Sequence, residues 1–274
     1  MSVRFVISLN KAVFISTRRL SRSKTAADYK YKKTYFSVIR LYNLRQNDLA
    51  EELSGQVEGD MLIEEDEWSA FNGRVEDSLR WTNNTVPYWI NDSLFNQDQI
   101  NYIHHAAAYL EHKTCLKFPI RTTERDYVFF TGDSVGCAAV VGRRGGAQRI
   151  RLQPHSIETG CFRFFTIVHE FLHALGFHHM QNTFDRDNYI RINWDNVRPE
   201  SVDSFNLRPA TEVSHFKVPY DIGSVMHYSQ MAFSSNGRNT MTPLYNTKGK
   251  TMGQRVEMTP GDILRINRMY NCPE

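Results

Sequence analysis

An apolar stretch in the middle of the chain carries residues whose order suits metal chemistry. His169, Glu170 and His173 lie where the pattern predicts a buried helix, and histidines four positions apart share one helix face. Gly176 permits a left-handed turn that ends the helix and brings His179 back toward the same point. Three neutral imidazoles with an open fourth position are typical of a catalytic zinc site. The spacing therefore predicts one Zn²⁺ per chain bound by His169, His173 and His179, with Glu170 beside it as general base.

The alternative interpretation is a core helix whose histidines are simply hydrogen-bonded. A bare H-E-x-x-H pattern leaves that alternative open, whereas the added Gly176 and His179 at fixed spacing disfavour it. His178 adjoins His179 but points elsewhere on this geometry, so we interpret it as non-ligating. The motif indicates a zinc hydrolase site.

Two segments together resemble the astacin family of metzincin endopeptidases: His169 to His179, and Ser224-Val225-Met226-His227-Tyr228. The resemblance implies that Met226 lies in a Met-turn and forms an apolar floor below the metal. It also implies that Tyr228 is a further ligand at rest that moves to stabilise the oxyanion of the substrate. The likeness covers about residues 81–274 and implies the disulfides Cys115–Cys272 and Cys137–Cys161.

The segment before this region is acidic and also resembles the family. Val57-Glu58-Gly59-Asp60 is similar to its latency motif, in which the aspartate takes the place of water on zinc, although the family has Phe where this chain has Val57. The resemblance implies that Asp60 is a built-in inhibitor that an activating protease removes. Cleavage is expected between Glu67 and Trp81, and Arg74 offers a trypsin-like site. We divide the chain into a basic arm (1–48), an acidic pro-segment with the latency aspartate (49–74) and an astacin-like zinc metallopeptidase domain (75–274).

Composition limits the class of protein. The 274 residues are 41% hydrophobic and 23% charged, which is ordinary for a globular chain. No apolar run approaches the roughly 18 residues of a spanning helix, so we expect no membrane span. Four cysteines without CxxC spacing favour two disulfides over a thiolate zinc site.

Charge is concentrated at the N-terminus. Residues 1–48 hold 11 Lys and Arg against two acids, a net charge of +9, and the rest of the chain has a net charge of −6. Nucleic-acid binding would have to rest on this arm alone, where no zinc-finger spacing or basic–aromatic pattern supports it. The arm lacks a convincing signal peptide and superficially resembles a mitochondrial presequence. The predicted disulfides and the sequons at Asn83 and Asn91 favour a secreted glycoprotein instead.

Periodicity places the motifs on secondary structure. It predicts strands at 86–90, 115–120, 127–130 and 150–152, and helices at 97–112, 164–176 and 259–269. The fold class expected is α+β. The resemblance implies a two-lobed metzincin (zincin-like) fold, with a twisted mixed sheet and the active-site helix in the N-terminal lobe and a mostly irregular C-terminal lobe.

The function expected is that of a secreted zinc endopeptidase, made as a latent zymogen and monomeric, that hydrolyses protein or peptide substrates. The main alternative is a catalytically silent zinc-binding interaction protein on the same fold. A different metzincin or a thermolysin-like peptidase is disfavoured by Tyr228 and by the position of His179.

Overall fold

The computed structural model describes residues 50–62 and 79–273. The basic arm at 1–48 and the proposed boundary at 74/75 lie outside the described residues. Among the described residues no helix is both long and apolar enough to cross a membrane.

A five-stranded mixed sheet supports the first part of the domain. Its strands are β1 (Met61–Leu62), β2 (Tyr88–Ile90), β3 (Tyr127–Thr131), β4 (Cys137–Val140) and β5 (Ala147–Leu152), in the spatial order β1-β4-β5-β3-β2. Only the β4–β5 pair is antiparallel. The first strand belongs to the acidic pro-segment, so this segment extends the sheet of the domain that follows it.

Helices α1 (Gln97–Lys113) and α2 (Phe164–Leu175) pack against each other, and α2 also packs against β4 and β5 of the sheet. Helix α1 begins with a capping box in which Asn96 and Gln99 satisfy each other's backbone N–H groups. Helix α2 is apolar on nearly every face and is buried from Thr166 to Leu175. Indole Nε1 of Trp81 donates to the carbonyl of Ala174 at 2.8 Å, which fixes the end of this buried helix.

A second hydrophobic cluster lies after α2 and includes Met180, Phe205 and Tyr228. Its regular structure is limited to the antiparallel pair β6 (Ile190–Ile192) and β7 (Met241–Pro243), with short 3-10 turns between them. The final helix α3 (Pro260–Met269) packs against the hydrophobic core formed by the sheet and the first two helices. The α+β class, with a sheet-bearing first lobe and a mostly irregular second one, is confirmed.

One predicted strand is wrong. Residues 115–120 form only isolated bridges, Thr85 with Lys117 and Tyr88 with Ile120. Pro119 has no N–H to donate, and the N–H of Phe118 donates to the carboxylate of Glu111 at 2.7 Å instead of to a strand. The segment therefore runs beside β2 without forming a regular ladder.

The four cysteines are paired as the family resemblance implies, Cys115 with Cys272 and Cys137 with Cys161. The first bridge joins the start of the wrongly predicted strand to the residues after α3. The second joins β4 to the turn before α2. The first bridge thus ties the residues after α3 covalently to the first lobe, and the second lies within that lobe.

Candidate active site

Helix α2 and the turn after it bring three histidines to one point. The Nε2 atoms of His169 and His173 are 3.1 Å apart, one helical turn from each other. The helix ends at Gly176 (φ 109°), where a Cβ atom would lie 2.9 Å from Met269 Cε. Glycine is the residue that tolerates this left-handed backbone, and the chain then reverses to bring the His179 ring within 4.7 Å of the His173 ring.

Each imidazole is held through its other nitrogen. His169 Nδ1 lies 2.9 Å from the carbonyl of Val225, and His173 Nδ1 lies 2.7 Å from the carbonyl of Phe177. His179 Nδ1 lies 3.1 Å from a carboxylate oxygen of Glu58. Since carbonyl and carboxylate oxygens only accept, all three Nδ1 atoms carry a proton, and Nε2 is the nitrogen of each ring that is left to bind a metal ion.

These lone pairs converge on the carboxylate of Asp60. Its oxygens lie 3.1 Å from His169 Nε2, 3.5 Å from His173 Nε2 and 3.1 Å from His179 Nε2, all fully or almost fully buried. One donor atom from each of the four residues falls within 4.8 Å of the others. Four buried acceptors around one point require a cation, and three imidazoles with a carboxylate suit tetrahedral zinc. The residues present therefore fit one Zn²⁺.

The electrostatic environment of His179 also favours a bound cation. Burial disfavours a charged ring, but Asp60 and Glu58 outweigh burial and raise the pKa of His179 to about 9. The two carboxylates thus favour a positive charge at the point where the imidazoles meet, which is where a metal ion would be bound.

Glu170 lies beside these groups and is fully buried. Neither of its carboxylate oxygens has a hydrogen-bonding partner among the described residues. Burial, together with the charges of Asp60 and Glu51, raises the pKa of Glu170 well above its usual value. A carboxylate with unfilled acceptors and a raised pKa is suited to exchanging protons with a molecule bound at the site.

The Ser224–Tyr228 segment contacts the chain around His169 and His179. Met226 is 2% exposed, and its carbonyl accepts from the N–H of Met180 at 2.9 Å. The Tyr228 ring centroid is 4.5 Å from that of His179. The Tyr228 hydroxyl donates to the carbonyl of Glu58, so the acidic pro-segment occupies this hydroxyl in the described chain.

The pro-segment reaches the histidines by adding a strand to the sheet. β1 runs parallel to β4, with Met61 opposite Ala139, and the N–H of Ala139 donates to the carbonyl of Asp60 at 2.8 Å. Gly59 packs so closely that a Cβ there would lie 2.9 Å from Phe233 Cζ. The backbone pairing and this close approach set the depth at which Asp60 enters.

Three glutamates of the pro-segment form ion pairs with arginines of the following domain. Their N···O distances are 2.5 Å for Glu51–Arg255, 2.8 Å for Glu52–Arg198 and 2.6 Å for Glu58–Arg208. Sequence reasoning assigned these glutamates to an acidic pro-segment and predicted none of the three pairs. The available signal was the opposite charge of these glutamates and of arginines far along the chain, which does not by itself specify partners.

Taken with the fold, the donor set defines a zinc metallopeptidase of the zincin class. Comparisons with known proteins agree. The family model described as Astacin (Peptidase family M12A) matches residues 74–271. "Zinc metalloproteinase nas-4" of Caenorhabditis elegans is 37% identical over 225 residues, covering 79% of this chain and 69% of its own length. "Seminal metalloprotease 1" of Drosophila melanogaster is 38% identical over 208 residues, covering 74% of this chain and 82% of its own length.

A solved structure is also similar. High choriolytic enzyme 1, a hatching enzyme zinc-protease from the medaka fish Oryzias latipes, matches with a TM-score of 0.63 and 37% identity over 71% of this chain and 94% of that one. The chain therefore belongs to the astacin family. It is a zinc metalloendopeptidase that acts on proteins or peptides.

Proposed function

We propose that Glu170 is the general base of peptide hydrolysis and that Tyr228 stabilises the oxyanion. His169, His173 and His179 would hold the zinc ion, which would supply the Lewis acidity that acidifies water and polarises a carbonyl. Glu170 takes a proton from the attacking water and passes it to the leaving amine. The Tyr228 hydroxyl donates a hydrogen bond to the oxygen on which charge develops.

The observation that carries this assignment is the convergence of three proton-fixed imidazoles beside a buried glutamate with unfilled acceptors. Met226 supports the proposal as the floor of the site, because its backbone links the turn to the chain beside His179. A catalytically silent binding protein would not need Glu170 or Tyr228, and this chain has both.

We further propose that residues 49–74 keep the enzyme latent and that an activating protease removes them. Asp60 supports this role because its carboxylate fills the point where the three Nε2 atoms meet. The Tyr228 hydroxyl is engaged by the same segment, so one segment blocks both the metal site and the oxyanion donor. Domain boundaries at 48/49 and 74/75 remain part of this proposal.

We also propose that the protein is secreted and monomeric. Two disulfides require an oxidising compartment. The names of the relatives, a seminal metalloprotease and a choriolytic hatching enzyme, fit action outside the cell.

The test uses the refolded, disulfide-intact full chain with zinc, before and after limited trypsin treatment, and a denatured protein as substrate. Cleavage is expected only after treatment and only in the zinc-loaded wild type. Glu170→Gln should retain zinc and lose turnover, and His179→Ala should lose zinc as well. A Glu170→Gln variant with wild-type activity would contradict the base assignment. A treated, zinc-loaded wild type that cuts nothing would favour the silent binding protein.

A further inference from the structure

The pair between Glu52 and Arg198 lies apart from the metal site. Oε2 of Glu52 is 2.8 Å from Nη2 of Arg198 and accepts the backbone N–H of Phe233 at 2.9 Å. Two donors, one of them charged, thus meet one carboxylate oxygen whose side chain is only 8% exposed. This arrangement is a carboxylate-binding site of the enzyme domain that is filled by the pro-segment.

The donors are held by the enzyme domain itself. The N–H of Arg198 donates to the carbonyl of Phe233 at 2.9 Å, and the Arg198 guanidinium lies 5.4 Å from the centroid of the Phe233 ring. Phe233 has a left-handed backbone (φ 54°) within the turn that presents its N–H. None of these contacts uses a pro-segment atom, so departure of the pro-segment removes none of them.

The site opens onto a groove of about 670 Å³ whose lining also includes Met231 and Met252. Uncharged polar side chains line much of it, including Gln230, Ser234, Ser235 and Asn236. Among the described residues that line this groove, Arg198 is the only Lys or Arg. A peptide side chain placed there would therefore meet one positive charge in otherwise neutral surroundings, which is a condition for selecting charge.

The pro-segment occupies the cleft that a peptide substrate would use. Its backbone contacts both ends of β4, through Ala50 with Cys137 and through Asp60 with Ala139. Extended peptides bind sheet edges through the same main-chain groups, so substrate and pro-segment compete for β4. Removal of the pro-segment frees the edge and the Arg198 site together.

We propose that Arg198 and the Phe233 N–H form a subsite that selects an acidic side chain of the substrate, at a position outside the scissile dipeptide. This inference rests on the proposed function, because it concerns the specificity of the same cleft. A substrate that leaves the site unfilled also leaves a partly buried guanidinium without its carboxylate. The Arg198 side chain is 36% exposed, so water compensates part of that loss, and we expect about tenfold discrimination.

The environment of Glu52 shows what the subsite itself contributes. Burial raises the pKa of Glu52 to about 7, while the Phe233 N–H and Arg198 act in the opposite direction. Both subsite donors therefore favour the ionised carboxylate. A substrate side chain in the open groove retains more water than Glu52 beneath the pro-segment, so it binds in its charged form at neutral pH.

The experiment is a cleavage profile of the activated enzyme on a peptide library, followed by kcat/KM for matched peptides with Glu or Gln at the selected position. The wild type should prefer Glu about tenfold at one position outside the scissile pair. Arg198→Ala should lose this preference, so that its ratio of kcat/KM for the Glu peptide to kcat/KM for the Gln peptide falls to about one. Arg198→Glu should prefer Lys at that position. Arg191→Ala, which removes an exposed arginine on β6, is the control and should behave as wild type.

Each result decides between the two proposals. If the activated wild type cleaves the library but Arg198→Ala keeps the full Glu preference, the subsite is refuted and the peptidase assignment stands. The same conclusion follows if Arg198→Glu shows no gain for Lys, even where Arg198→Ala fails to fold. If the activated, zinc-loaded wild type cleaves nothing, the proposed function fails and the subsite inference fails with it.

Discussion

Replacing Glu58 with Gln in the full chain should accelerate the loss of zinc. His169 and His173 are oriented by backbone carbonyls of the enzyme domain, but His179 is oriented by the Glu58 carboxylate of the pro-segment. Partners of this kind fix the tautomer and direction of a metal-ligating imidazole. Each of the three imidazoles in the described chain therefore has a support, and removal of residues 49–74 would take away the support of His179.

The size of the effect follows from the geometry. One Glu58 oxygen lies 3.1 Å from His179 Nδ1, and the other lies 2.6 Å from Arg208. A Gln side chain has one acceptor oxygen and one NH₂ group, so either the imidazole N–H or the guanidinium would face a donor. Loss of such a support typically weakens metal binding about 10- to 100-fold, which is about 1.4–2.8 kcal/mol.

The assay is the rate of zinc transfer from the full chain to a chromophoric chelator, measured in a Glu170→Gln background that prevents self-cleavage. Glu51→Gln is the matched control, because it breaks a pro-segment ion pair without contacting a histidine. Zinc release from Glu58→Gln at the wild-type rate, with the fold intact by circular dichroism, would refute the reasoning. An equal acceleration in Glu51→Gln would assign the effect to general loosening of the pro-segment.

Three further predictions concern other contacts. Tyr228→Phe should lower kcat of the activated enzyme about 100-fold with zinc content unchanged, because one oxyanion donor is lost; a kcat within twofold of wild type would exclude that role. Burial raises the pKa of Glu51, but Arg255 outweighs it and lowers this pKa from 4.5 to about 2. The pair therefore stabilises the fold by up to about 3 kcal/mol above pH 4.5, and this contribution is lost as the pH falls toward 2. The gap in free energy of unfolding between wild type and Glu51→Gln, measured in urea, should therefore shrink by about 2 kcal/mol between pH 6 and pH 3, and a constant gap would contradict it. Gly176→Ala should lower the free energy of unfolding by roughly 1–2 kcal/mol more than Gly249→Ala does, as measured by thermal or urea unfolding. Both glycines have positive φ, but only at Gly176 would the added Cβ contact another side chain, that of Met269. Equal losses would show that Met269 moves aside freely.

The metal helix could be predicted because its information is local. The spacing of His169 and His173 and the glycine that ends the helix lie within eight consecutive residues, and helical geometry alone converts them into a site. Helix α3 was equally accessible, since Thr259 and Pro260 define its start and the structure shows the expected cap. Patterns of this kind do not depend on the rest of the fold.

The support of His179 could not be predicted in the same way. Glu58 and His179 are 121 positions apart, and Glu52 and Arg198 are 146 apart. The residues between these positions do not specify which acid pairs with which base, because the partners come together only when β1 pairs with β4. The strand at 115–120 was wrongly predicted for a local reason. The N–H groups of Lys117 and Arg121 bond to the neighbouring segment, but Pro119 between them has no N–H, so the ladder is interrupted there.

The parallel pairing of β1 with β4 also affects how readily the protein aggregates. With the pro-segment in place, β4 is paired on both sides and Ala138, Ala139 and Val140 are at most 2% exposed. Once that segment departs, one side of β4 presents unpaired N–H and C=O groups next to small apolar side chains, which is a template for extension by other chains. We therefore expect the chain that retains residues 49–74 to resist edge-to-edge aggregation, and the chain that lacks them to aggregate more readily as its concentration rises.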